Sequence, residues 1–177
     1  MSAPKPPAPG KPVVVVMGVS GAGKTTIGAR IAALLKVEFV EGDRFHPEAN
    51  IKKMSNGAPL DDADRLPWLS AIAAEIDRAR SQERGLVVAC SALKRAYREI
   101  LLGGRPDVRL VYLRGSRALI QQRLDGRRGH FMPPTLLPSQ FAALEEPAAP
   151  EAPIVVDVAA APQAIVAEIA RQIAVRR

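Results

Sequence analysis

Eight consecutive residues, Gly18-Val19-Ser20-Gly21-Ala22-Gly23-Lys24-Thr25, have the spacing G-x-x-x-x-G-K-T. Glycines in this pattern let the backbone turn tightly and bring several N–H groups onto phosphate oxygens. Lys24 can then reach the outer phosphates of a nucleotide, and the Thr25 hydroxyl can take a position on Mg2+. The loop follows a β-branched run and opens a helix, whose N-terminus adds the positive end of its dipole. Residues Gly18, Val19, Ser20, Gly21, Ala22, Gly23, Lys24, Thr25 and Thr26 are therefore the candidate nucleotide-binding set.

Other residues have types suited to chemistry. Asp43 stands just past a candidate second strand, where a carboxylate can orient an acceptor hydroxyl and take its proton, or hold a magnesium-bound water. The plainer alternative is a turn or capping aspartate. His46 and His130 are the only histidines, each outside a regular element, and either can hydrogen-bond substrate hydroxyls or be an ordinary turn histidine. Neither has metal-ligand spacing around it, so Mg2+ is the only metal expected. Arg123 and Arg127 are four apart and share a face if their helix continues that far. Phosphoryl transfer spreads negative charge over equatorial oxygens, which such arginines stabilise; they can also stack on adenine, or simply form a basic helix end. Asp61, Asp62 and Asp64 read as capping residues before a helix, and Trp68 as a packing anchor.

The elements that must position these groups alternate strand and helix. Strands are expected at 13–17, 37–40, 86–90, 108–113 and 154–158. Helices are expected after the glycine loop, at 67–80 with Pro67 in the first turn, at 117–124 and at 164–175. This alternation predicts an α/β fold with a parallel sheet and right-handed crossovers. A substrate-sized insertion fills 42–67, and 126–153, with six prolines and little periodicity, reads as a lid. Phe131, Met132 and Leu136 would seal that lid against water.

With 177 residues, one domain over 13–177 is expected behind a disordered Pro-rich tail, 1–12. The tail lacks the apolar stretch of a secretory signal, and no apolar run approaches the ~20 residues of a membrane helix. A membrane role is not expected. The single cysteine, Cys90, closes an apolar run and suits a reducing cytoplasm. A formal net charge of +7 invites nucleic acid, but the seven aromatics are not interleaved with basic residues as stacking platforms require. Arg123, Arg127 and Arg128 are better explained by nucleotide phosphates, so no nucleic-acid partner is expected. The chain has no Asp-x-x-Gly and no Asn-Lys-x-Asp, which removes the GTPase reading. The short chain and arginine-bearing lid favour a kinase of small metabolites. A kinase of shikimate or a nucleoside monophosphate, a nucleotide-gated binding protein and a nucleic-acid ATPase are the competing readings.

Beyond the loop, several segments closely resemble the bacterial-type gluconokinases. They are Gly42-Asp43-x-Phe45-His46-Pro47, Asn50-Ile51-x-Lys53-Met54, and Gly57-x-Pro59-Leu60-x-Asp62-x-Asp64-Arg65-x-Pro67-Trp68-Leu69. Cys90-Ser91-Ala92-Leu93-Lys94, Tyr97-Arg98, Arg127-x-Gly129-His130-Phe131-Met132-Pro133 and Leu136-Leu137-x-Ser139-Gln140-Phe141 continue it, ending at Leu144-Glu145. The resemblance covers the chain from about Val13 onward. It implies ATP- and Mg2+-dependent phosphorylation of D-gluconate at its 6-hydroxyl, which disfavours the shikimate and nucleotide readings. It also implies a three-layer fold of the nucleoside-monophosphate-kinase type with a five-stranded parallel sheet, and commonly a homodimer. On this reading Lys24, Asp43 and Arg127 are catalytic, Thr25 is the metal position, and Arg123 joins Arg127 at the nucleotide. Gluconate carries a carboxylate and many hydroxyls, so its site needs cationic forks and hydrogen-bonding side chains. Asp43, His46, Lys53, Arg65, Lys94, Arg98 and His130 are the candidates. Two features depart from the family pattern: Glu41 stands where Asp is common, and 147–153 is unusually rich in Pro and Ala.

Overall fold

Five short strands pair side by side as a parallel sheet: β1 (Val13–Met17), β2 (Glu38–Glu41), β3 (Leu86–Ala89), β4 (Val108–Arg114) and β5 (Ile154–Asp157). Their order in the sheet is β2-β3-β1-β4-β5. The computed structural model describes residues 10–127 and 134–176. Val13 pairs with Leu86 of β3 on one side and Val108 of β4 on the other, so β1 is the central strand.

Every residue of β1 is buried, and its alternation divides the interior in two. Val14 and Val16 face a core shared with Ile27 and Ile31 of α1 (Lys24–Leu35) and Ile165, Ile169 and Ile173 of α7 (Pro162–Val175). Val13, Val15 and Met17 face the opposite core, with Trp68, Leu69, Ile72 and Ile76 of α3 (Asp62–Ser81) and Leu101 of α4 (Arg95–Leu102). Helices thus cover both faces, the three-layer arrangement expected of alternating strands and helices. Cys90 lies buried at the end of β3, where burial pushes its thiol up to about 12; it is a small core side chain and not a nucleophile.

The structure corrects the helix boundaries. The helix expected at 67–80 begins earlier, at Asp62. Asp61 and Asp64 form a reciprocal capping box: the Asp64 N–H donates to Asp61 Oδ1 at 2.7 Å and the Asp61 N–H to Asp64 Oδ2 at 2.9 Å. Pro67 is thereby inside the helix rather than in its first turn, and the Ala63 carbonyl loses its ordinary i+4 donor. Three helices lie outside the expected set: α2 (Glu48–Ser55) inside the insertion, α4 following β3, and a third in the candidate lid. Each has only seven or eight residues, too few for apolar periodicity to stand out. Within the candidate lid, short 3-10 turns at Pro134–Leu136 and Ala149–Glu151 flank α6 (Leu137–Ala143). Leu136 is buried with Met54 and Leu60, so this segment packs onto the insertion. Residues 1–9 of the tail, and the lid positions Arg128, Gly129, His130, Phe131, Met132 and Pro133, lie outside the described residues.

Candidate active site

All five strands are parallel, and several of the candidate residues line a cavity beyond their carboxyl ends, where ligands of open α/β sheets bind. One cavity there is lined by Ser20, Lys24 and Thr25 from the glycine loop, Glu41 at the end of β2, Asp43 and His46 beyond it, Arg65 of α3, and Arg127.

The loop side is built from backbone. Gly23 caps α1 in the left-handed region with φ 95°, a conformation that side-chain-bearing residues rarely adopt. Lys24 Nζ donates to the Val19 carbonyl at 3.0 Å, folding back across its own loop. Enclosure lowers the Lys24 pKa, opposed by the nearby Asp43 and Glu41 carboxylates and assisted by Arg127. Thr25 Oγ1 donates to Glu41 Oε2 at 2.5 Å. This places a hydroxyl and a carboxylate side by side at the start of α1, hard oxygen donors of the kind Mg2+ prefers. Glu41 is the last residue of β2, one later than the expected strand end. The Ser20 N–H donates to Gln140 Oε1 at 2.7 Å, tying α6 to the loop across 120 residues.

The acceptor side is built from side chains. A Cβ on Gly42 would lie 2.3 Å from the Ala89 carbonyl, so only glycine lets β2 leave the sheet this close to β3. Asp43 follows in a 3-10 turn, Gly42–Phe45, and is half-buried. The Trp68 indole N–H donates to the Gly42 carbonyl at 2.9 Å, and the same indole stacks on His46 with ring centroids 4.1 Å apart. Trp68 is thus more than a packing anchor: it holds the peptide preceding Asp43. His46 is buried, with Nε2 3.8 Å from Asp43 Oδ1 and Nδ1 3.4 Å from Asn50 Nδ2. Burial lowers its pKa to about 4; Asp43 raises it and Arg65 lowers it further.

The candidate cations separate into groups. Arg65 reaches the cavity while its Nη1 donates to the Leu60 carbonyl and, at 3.2 Å, to the Tyr97 hydroxyl. Lys94 pairs with Asp62 Oδ1 at 2.9 Å and lines an adjoining hollow of about 530 Å³, which shares Leu60, Arg65 and Gln140 with the cavity. Lys53 pairs with Asp64 Oδ2 at 2.7 Å, bracing the α3 capping box, and does not line the cavity. Arg98 is placed elsewhere altogether. Only 1% exposed, it donates to Glu151 Oε1 at 2.5 Å and to the carbonyls of Ala92 and Leu93, each at 3.0 Å. The turn of α4 carries it inward, so it clasps the chain before β5 instead of facing a ligand. Arg123 and Arg127 line a second hollow of about 290 Å³ with Gly21, Thr26, Val158 and Pro162, although α5 (Arg117–Asp125) ends before Arg127. Arg123 Nη2 also donates to the Val158 carbonyl at 2.6 Å. His130 lies outside the described residues.

Residues 13–147 match the family model described as an AAA domain. The chain is 51% identical over 142 residues to the thermosensitive gluconokinase of Escherichia coli K12, covering 80% of this chain and 75% of that protein. It is 46% identical over 158 residues to the gluconokinase of Gluconobacter oxydans 621H, covering 89% of each. The crystal structure of a gluconokinase from Sinorhizobium meliloti 1021 superposes with a TM-score of 0.80 at 43% identity, covering 89% of each chain. An α/β phosphate-loop kinase in its fold and in its cavity, the chain belongs to the gluconokinase family.

Proposed function

We propose that this protein transfers the γ-phosphoryl group of ATP to the 6-hydroxyl of D-gluconate, giving 6-phospho-D-gluconate and ADP. One observation carries the reading: a single cavity has the phosphate loop, Lys24 and Thr25 on one wall and Asp43, His46 and Arg65 on the other. Donor and acceptor groups therefore meet across it, as in-line transfer requires.

On this reading the N–H groups of the loop from Gly18 to Thr25 hold the phosphates. Lys24 exchanges its Val19 carbonyl for phosphate oxygens. Thr25 and Glu41 are the residues that would hold Mg2+, which when bound supplies positive charge to the phosphate oxygens. Asp43 orients the acceptor hydroxyl and takes its proton as the new O–P bond forms. Arg65, at the join between the cavity and the hollow beside Lys94, is placed to read the carboxylate and hydroxyls of the sugar acid. Arg123 and Arg127 line the hollow on the other side of the loop and serve the nucleotide, Arg127 also facing the transferred phosphoryl group. Residues 126–153 act as a lid on one domain spanning 13–177, supported by the contact of Gln140 with the loop. A cytoplasmic homodimer is proposed on the family resemblance, and the buried cysteine thiol suits that compartment.

The test is a coupled assay of purified protein with MgATP against gluconate, other sugar acids, shikimate, AMP and CMP. Turnover should be confined to gluconate and close sugar acids. Turnover of shikimate or a nucleotide with none of gluconate would reject the assignment.

A further inference from the structure

We infer that Asn50 sets the tautomer of His46, so that a neutral ring presents its Nε2–H edge to the Asp43 carboxylate, making Asn50 and His46 positioning residues for that carboxylate. The inference deepens the proposed function, since it rests on Asp43 as acceptor of the hydroxyl proton.

The chain of reasoning begins at a backbone carbonyl. Asn50 is buried, and its Nδ2 lies 2.8 Å from the carbonyl oxygen of Asp64. A carbonyl can only accept, so the Asn50 atom facing it must be the amide nitrogen and not the amide oxygen. That nitrogen has a second hydrogen and lies 3.4 Å from His46 Nδ1. A hydrogen on Nδ1 would set two donors against each other in a buried place, an arrangement that costs a lost bond on each side. Nδ1 is therefore the acceptor. A neutral imidazole has one N–H, which then sits on Nε2, the atom 3.8 Å from Asp43 Oδ1.

Two helices hold the ring in this pose. Asn50 comes from α2, the Asp64 carbonyl belongs to the first turn of α3, and Trp68 stacks on the ring at an interplanar angle of 16°. The same Trp68 anchors the Gly42 carbonyl, so ring and carboxylate are referred to one indole. The charged groups acting on His46 are Asp43 and Arg65, which oppose one another, and burial outweighs both in keeping the ring uncharged near neutral pH. At 3.8 Å from Asp43 Oδ1, beyond direct hydrogen-bond reach, an N–H on Nε2 acts on the carboxylate through its dipole.

The experiment is nitrogen NMR of protein labelled with 15N-histidine, with His46→Gln assigning the His46 signals apart from those of His130. In the wild-type protein His46 should show a protonated Nε2 and an unprotonated Nδ1 across roughly pH 5 to 8. Asn50→Asp puts an acceptor against Nδ1 and should move the proton there or charge the ring. The turnover number should fall by about tenfold or more, the usual scale for residues that fix a histidine tautomer, with KM for ATP unchanged. A wild-type ring protonated on Nδ1, or a tautomer unaltered in folded Asn50→Asp, overturns the inference. If Asn50→Asp does not fold, the wild-type spectrum alone decides. Failure of the base assignment reads out separately: Asp43→Asn would keep its activity while the wild-type tautomer stayed as stated.

Discussion

The phosphate loop and the opposing acceptor wall solve the same problem, placing charge near a reacting phosphate, by different means. The loop works through backbone geometry over eight adjacent residues, with Gly21 and the cap residue Gly23 in the left-handed region and one lysine folded across it. The acceptor wall is assembled from β2, α2 and α3, and its cationic side chains divide between the cavity and structural pairs. Arg65 faces the cavity, whereas Lys53 and Lys94 brace the aspartates at the start of α3 and Arg98 is buried against Glu151. A site made of backbone is committed to one use by its conformation. A site made of long cationic side chains is not, because the same group serves a carboxylate of the protein or of a substrate equally well.

Substitutions can break this contrast. Lys24→Ala should have the largest effect, a loss of about 10³-fold or more in turnover with the fold intact, measured by coupled assay and circular dichroism. Asp43→Asn comes next: the turnover number should fall by about 10² to 10⁴-fold while KM for ATP stays nearly constant. A near-wild-type rate would remove Asp43 from the chemistry. Arg98→Met tests the structural side. It leaves Glu151 in a mostly enclosed place without its partner and should cost roughly 3 kcal/mol in urea unfolding. Glu151 also gives this effect a sign with pH. Burial alone would raise its pKa, but the Arg98 bond and the Ala148 N–H together hold it below the ordinary 4.5. The stabilisation is therefore present above about pH 4.5 and lost as the pH falls through the lower folded value, so wild type and variant should converge in acid. Lys53→Met should have the smallest effect, with KM for gluconate within about twofold of wild type, since an exposed ion pair contributes little. A large rise in KM would return Lys53 to the substrate.

How far the sequence could be read depended on whether a feature was local. The five strands are legible within a residue or two, β1 and β3 as continuous buried apolar runs and the edge strands β2 and β5 from shorter β-branched and aromatic stretches. Asp61, Asp62 and Asp64 read correctly as capping residues, but the start of α3 is set too late because Pro67 looks like a first-turn residue. The resemblance ties the Glu41 position to a magnesium contact where Asp is common, but its hydrogen bond with Thr25 shows only once the end of β2 is set beside the loop. Trp68 read as bulk, since nothing along the chain shows that its N–H meets the carbonyl of Gly42, 26 residues earlier.

By itself, then, the sequence determined the layered α/β fold, the nucleotide loop from Gly18 to Thr25, and the family. These follow from residue spacing along one strand, one turn and one helix, or from long ordered motifs. Only the tertiary structure decided which charges face the cavity. Arg98 and Arg65 are alike in composition and both follow motif residues, yet one is sealed against Glu151 and the other opens onto Asp43. The reason is that a side chain's partner lies across space, set by how α3, α4 and the segment before β5 pack together, and no spacing along the chain encodes it.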